Sequence, residues 1–129
     1  MELEKMQFLI GFIFSLTTSS ILTLIPVWQL IIIPGILSGM INDKVRNAVL
    51  SGGLGIITSW TIYAIFGMLS KNLYTILDIF GALIFGPGFG WILLILILLF
   101  GFIFGILGGA IGNLIRNLML KERSQREKK

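Results

Sequence analysis

The chain has 129 residues, of which 56% are hydrophobic and only 12% charged, with 16 glycines and a mean hydropathy of +0.98. A soluble domain carries roughly 25% charged residues, so this composition excludes a water-facing globular surface, and its apolar content excludes disorder. The formal charge of +4 resides in residues 116–129, where six cations meet two anions, and the rest of the chain balances to zero. The composition is that of an integral membrane protein with a basic tail.

Three long uncharged runs occupy 6–42, 47–70 and 79–115. A hydrocarbon core of about 30 Å takes about 20 helical residues. The middle run therefore suits one crossing, and each run of 37 residues must turn back or cross twice. In the first run, Thr17, Thr18, Ser19 and Ser20 precede Pro26, Trp28 and Gln29. Proline breaks helices, and Trp and Gln suit the headgroup level. The pattern predicts a helix over 6–25, a tight turn at 26–29 and a short helix over 29–42. Pro34-Gly35 within that short helix leaves a kink or re-entrant segment open beside a full crossing. A third helix is expected over 47–69. Residues 73–85 contain Asp78 and lead into Gly86-Pro87-Gly88-Phe89-Gly90, a turn-forming cluster. They read as an interfacial or re-entrant segment, followed by a last helix over 91–117.

The expected fold is thus an all-α membrane bundle of about four crossings, within a range of three to five. Residues 1–120 form a single transmembrane domain, and 121–129 a basic tail that is solvated, helical for a turn or disordered. Four crossings place nine cations on one side and only Lys71 on the other. By the positive-inside rule both termini then face the cytoplasm of a cell membrane. The first residues, Met1 to Lys5, lack the basic character of a secretory signal.

An internal echo joins two parts of the chain. Laying 35–50 on 105–120 gives eight identities in sixteen positions, including Gly35 on Gly105, Gly39 on Gly109 and Arg46-Asn47 on Arg116-Asn117. About two identities would arise by chance in such a composition. The upstream breaks coincide as well, with 17–20 falling on 87–90. A parallel repeat of a helical hairpin and convergence of low-complexity membrane sequence both account for this.

Gly101, Gly105, Gly108, Gly109 and Gly112 form one stripe on the last helix, and Gly35 and Gly39 repeat the spacing. In lipid, small residues let helix backbones approach closely, so the stripe reads as a packing face. Its partner is a helix of the same chain, a second copy or another subunit. Lys44, Arg46, Arg116, Lys121, Arg123, Arg126, Lys128 and Lys129 read as topology determinants in contact with lipid headgroups. Asp78 reads as an interfacial carboxylate in water, with an ion or substrate entry as the alternative. The hydroxyls of Thr17, Thr18, Ser19, Ser20 and Thr23 are expected to bond back to their own helix.

The chain has no Cys and no His, which removes thiolate and imidazole metal sites and Cys–His or Ser–His catalysis. No catalytic, metal or cofactor site is expected, and no nucleic-acid partner. Pro34 to Gly39, the charged turn Asn42 to Arg46 and the glycines Gly52, Gly53 and Gly55 form a run that resembles small Gly-rich multi-pass archaeal membrane proteins of an uncharacterised family. The resemblance covers about 22 of 129 residues and implies a multi-pass membrane fold without an assigned activity. The chain is unlike the small fluoride channels of similar length, which rely on polar residues and aromatic pairs inside their helices.

The partners expected are the bilayer itself and either further copies or a larger membrane complex. A structural or accessory subunit is the leading expectation, ahead of a small oligomeric channel or transporter and of a holin-like permeabilising protein.

Overall fold

The structure is a computed structural model that describes residues 1–24, 28–70 and 72–127, with Trp28 and Gln29 described in their backbone alone. Among the described residues it is a bundle of five helices: α1 (Glu2–Leu22), α2 (Ile32–Ile41), α3 (Val45–Ser70), α4 (Leu73–Ile84) and α5 (Gly90–Arg126). A 3₁₀ turn, Trp28–Ile31, leads into α2. The helices α1, α3 and α5 are long and apolar enough to cross a membrane. By contrast α2 and α4 have 10 and 12 residues. At 1.5 Å per residue α2 is ~15 Å long, about half a hydrocarbon core.

Several boundaries differ from expectation for physical reasons. The hydroxyl cluster at 17–20 lies within α1, as in the helix expected over 6–25, and Thr17 Oγ1 donates to the Ile13 carbonyl (2.8 Å). The coincidence of upstream breaks is thereby lost: 17–20 is helix, whereas 86–89 is a turn with positive φ at Gly86 and Gly88. Pro34 lies in the first turn of α2, where its missing N–H has no intrahelical partner to lose, and the helix runs on to Ile41. The tail is helical to Arg126. Lys, Glu, Arg and Gln are good helix formers, and extending an existing helix needs no new nucleus. The expected turn at 26–29 lies outside the described residues at 25–27, as do Lys71, Lys128 and Lys129.

The bundle is inverted relative to a soluble fold. Among the described residues the buried apolar side chains are Ala48, Ile56 and Leu77, whereas Ser15, Ser19, Ser38, Asn42, Ser51, Ser59 and Asn113 are buried polar ones. Large apolar side chains such as Ile13, Phe14, Ile62, Phe66, Ile95 and Phe100 face outward. In water that surface would be strongly unfavourable. In hydrocarbon it is neutral, and packing is left to small residues and polar contacts.

The elements meet in a defined order. α5 makes its most extensive contacts with α3 and α2, and α1 lies against α3 and α2. Successive contacts 35 to 105, 39 to 109 and 42 to 113 show that α2 and α5 run parallel. α3 runs antiparallel to α5, with Gly52 against Gly105 and Ala48 against Gly109. The Glu4–Lys44 and Asp43–Arg116 ion pairs gather the start of α1, the α2–α3 turn and the late part of α5 at one end of the bundle. This is the Asp43 end; α4 and the 85–89 turn mark the other.

Candidate functional site

The glycines converge on a three-helix crossing. A Cβ on Gly35 would lie 2.9 Å from the Gly105 carbonyl oxygen and 3.0 Å from Gly108 Cα, and one on Gly52 would lie 2.6 Å from that same oxygen. A Cβ on Gly108 would meet the Ile32 carbonyl oxygen at 2.6 Å, and Gly112 abuts Ile36. Backbones of α2, α3 and α5 are therefore in direct contact, at separations no other residue permits. Gly101 differs from the rest of the stripe in meeting the Trp60 ring, at 3.0 Å, instead of backbone. The partners of the α5 stripe are α2 and α3 of the same chain.

The echo takes a physical form here. Gly35 and Gly105 touch, as do Gly39 and Gly109, so equivalent positions pack on one another in parallel. The equivalence ends at Asn42, whose backbone turns extended (φ −91°, ψ 132°), while α5 continues through the corresponding Gly112. Arg46 thus starts a new helix, and Arg116 extends an old one.

A polar network lines the crossing on the side of α1. The hydroxyls of Ser38 and Ser51 are 2.7 Å apart, and Asn42 Nδ2 donates to Ser51 Oγ and to the Ser38 carbonyl, both at 3.0 Å. Gly11 of α1 faces these three side chains. One turn on, Ser15 Oγ donates to the Gly52 carbonyl (3.3 Å). Ser20 and Ser59 share a hydrogen bond of 3.0 Å, and Tyr63 OH donates to the Ser20 carbonyl at 2.9 Å. Of the expected back-bonding hydroxyls, Thr17 and Thr23 do so, but Ser20 reaches across to α3. Asn42 Oδ1 and Ser19 Oγ are buried without a protein partner.

Asn113 closes this network at the Asp43 end. Its Nδ2 donates to the Asn42 carbonyl (2.6 Å) and the Asp43 carbonyl (3.2 Å), and its Oδ1 accepts from Asn117 Nδ2 (3.1 Å). Those carbonyls follow the last turn of α2, where backbone acceptors lack intrahelical donors. Gln7 accepts from the Asp43 backbone N–H at 3.4 Å and donates Nε2 to the Asp43 carboxylate at 2.7 Å. That amide, helped by the Arg116 guanidinium and opposed by desolvation, holds the Asp43 carboxyl below the usual carboxylate range. Glu4 and Lys44 pair at 2.7 Å. Lys44 and Arg116, expected at lipid headgroups, are thus committed to carboxylates of the chain, whereas Arg46, Lys121, Arg123 and Arg126 are exposed, apart from the described ion pairs.

At the other end Asp78 is not a free interfacial carboxylate. Its Oδ1 accepts the Gly90 backbone N–H (3.2 Å) at the start of α5. A negative charge there complements the helix dipole and occupies a donor otherwise unpaired. Close approach of Gly81 to Phe89 and Gly90 makes the contact reachable.

The sequence reading missed Ser15, Ser38, Ser51, Asn42 and Asn113 as a group. The available signal was the four-residue spacing of Gly11, Ser15 and Ser19, which places them on one helical face. No family model, curated protein or solved structure matches the chain.

Proposed function

We propose that this chain is a non-catalytic multi-pass protein of the cell membrane with a structural or accessory role, its two termini in the cytoplasm. The observation that supports the reading is the division of side chains. Most polar groups of the interior are spent on one another and on backbone, Ser19 Oγ, Asn42 Oδ1 and Trp60 Nε1 excepted, and every described charged residue except Asp78 lies at the Asp43 end or in the tail. Cations outnumber anions there, as cytoplasmic ends do. Because the glycine stripe is occupied within the chain, association with further copies or with a larger complex uses the outer apolar row Phe100, Ile103, Leu107, Ile111, Leu114 and Leu118.

A small oligomeric channel or transporter is the second reading. It is favoured by the hydroxyl line along α1 and α3, with unpartnered acceptors at Ser19 and Asn42. Purification from native membranes in mild detergent separates the two. A stoichiometric larger partner supports the accessory role. A homo-oligomer that passes ions after reconstitution into liposomes replaces it with the second.

A further inference from the structure

At the Asp43 end a groove of about 490 Å³ opens between α1 and α3, lined by Met1, Glu4, Lys5, Phe8, Leu9 and Asn47. Its wall changes character with depth. Glu4 and Lys5 form the outer turn of α1, and Phe8 and Leu9 the next turn inward. On α3, Leu50 and Leu54 follow Asn47 at helical spacing and are exposed. The groove is thus polar at its mouth and apolar below.

Charge at the mouth is uneven. Glu4 is neutralised by Lys44 at 2.7 Å, and Asp43 is paired with Arg116. Lys5 forms no ion pair among the described residues, and it is exposed. Arg46, next to Asn47, is equally exposed and has no such pair. The first turn of α3 has no acidic residue, and Glu2, in the first turn of α1, leaves Lys5 and Arg46 in excess by one charge. Asn47, in the groove wall, adds an amide donor.

We infer that this groove binds one anionic phospholipid, its phosphate held at the mouth by Lys5 and Asn47 and an acyl chain laid along Phe8 and Leu9, with the exposed Arg46, one residue before Asn47, adding positive charge nearby. The occupant follows from charge complementarity at the mouth and from the apolar floor beneath it. A free phosphate would leave Phe8 and Leu9 uncovered, and a zwitterionic lipid would bring an ammonium to two unpaired cations. The inference rests on the membrane embedding proposed above.

The test is native mass spectrometry of the full chain in mild detergent, titrated with dioleoyl phosphatidylglycerol or with dioleoyl phosphatidylcholine. One phosphatidylglycerol per chain should be retained in preference to phosphatidylcholine. Each basic residue near an anionic lipid surface contributes about fivefold in affinity, so Lys5→Gln with Arg46→Gln should weaken retention about 30-fold. Lys121→Gln with Arg123→Gln, in the tail, should leave it unchanged. Melting temperatures of both double variants check that the bundle is intact; if the groove variant melts early, Lys5→Gln alone, at an exposed position, carries the test through its fivefold effect. Equal retention of the two lipids, equal loss in the tail variant, or displacement by millimolar inorganic phosphate would overturn the site. If the wild-type chain fails to enter membranes at all, the embedding itself is wrong, and membrane extraction of the expressed protein reports that separately.

Discussion

Gly39 of α2 and Gly109 of α5, seventy residues apart and equivalent in the echo, pack backbone to backbone: a Cβ on Gly39 would lie 2.9 Å from the Gly109 carbonyl carbon and 3.0 Å from the Asn113 nitrogen. Neither neighbour is a side chain that could swing away. Gly39→Ala should therefore destabilise by about 1–3 kcal/mol, as overpacking does in a closed core, and Gly39→Leu should prevent assembly of α2 on α5. Ile95→Leu, at an outward position of α5, should change little. Thermal unfolding in detergent reads both. A Gly39→Leu protein that melts like wild type would mean that α2 does not sit on α5.

Asn113 presents a different kind of contact. Removing its amide leaves the Asn42 and Asp43 carbonyls without a described donor in a buried setting, a loss of about 1–3 kcal/mol. Asn113→Ala should also speed hydrogen exchange in the 42–48 segment. Asn117→Ala removes only the bond to Asn113 Oδ1 and should cost less. Equal effects of the two would place the stabilisation in α5 itself, away from the turn.

Asp43 makes the Asp43 end sensitive to acid. Its folded carboxyl sits below its ordinary value, held there by Gln7 and then by Arg116. The ionised form is favoured in the folded state, so the contribution to stability is present above the ordinary value and lost as pH falls through the folded one. The melting temperature should drop as pH is lowered below about 4, and less steeply in Asp43→Asn, which should also melt earlier than wild type at neutral pH. With the side chain 45% exposed, the effect is modest. An identical acid profile in wild type and Asp43→Asn would remove Asp43 from the account.

Asp78 should matter through the start of α5. Asp78→Ala removes the acceptor of the Gly90 N–H, and loss of a comparable capping contact costs about 0.5–2 kcal/mol. Exchange of the amides from Gly90 to Ile92 should accelerate, while Asp78→Asn, which keeps an acceptor, should fall between. Protection unchanged in Asp78→Ala would show that the α4–α5 turn is held by Gly81 and Gly90 packing alone.

Much of the fold was readable because lipid imposes a simple rule: long uncharged runs are helices, and Gly86-Pro87-Gly88 is a turn. The glycine stripe was readable as a packing face, but glycine carries no side chain to name its partner, so α2 and α3 emerged only from the structure. Thr17 to Ser20 were legible as part of a continuous helix whose hydroxyls bond back to it, whereas the bond of Ser20 to Ser59 was not, because it depends on which helix packs alongside. Asn42 and Asn113 stand near the ends of uncharged runs, where polar residues ordinarily meet headgroups. Their burial arises from the crossing of three helices, which no local pattern encodes. The carboxylate partners of Lys44 and Arg116 were not legible, because Glu4 and Asp43 come from other parts of the chain.

The α1 start and the α5 end share one end of the bundle, with the 85–89 turn at the other, and the proposal is that this shared end faces the cytoplasm. Since the chain has no cysteine, single substitutions Leu3→Cys, Pro87→Cys and Gln125→Cys are unique reporters for a membrane-impermeant thiol reagent. Applied to intact cells, the reagent should label position 87 alone; applied after permeabilisation, it should label 3 and 125 as well. Labelling of positions 3 and 125 from opposite sides, or of all three in intact cells, would contradict the account.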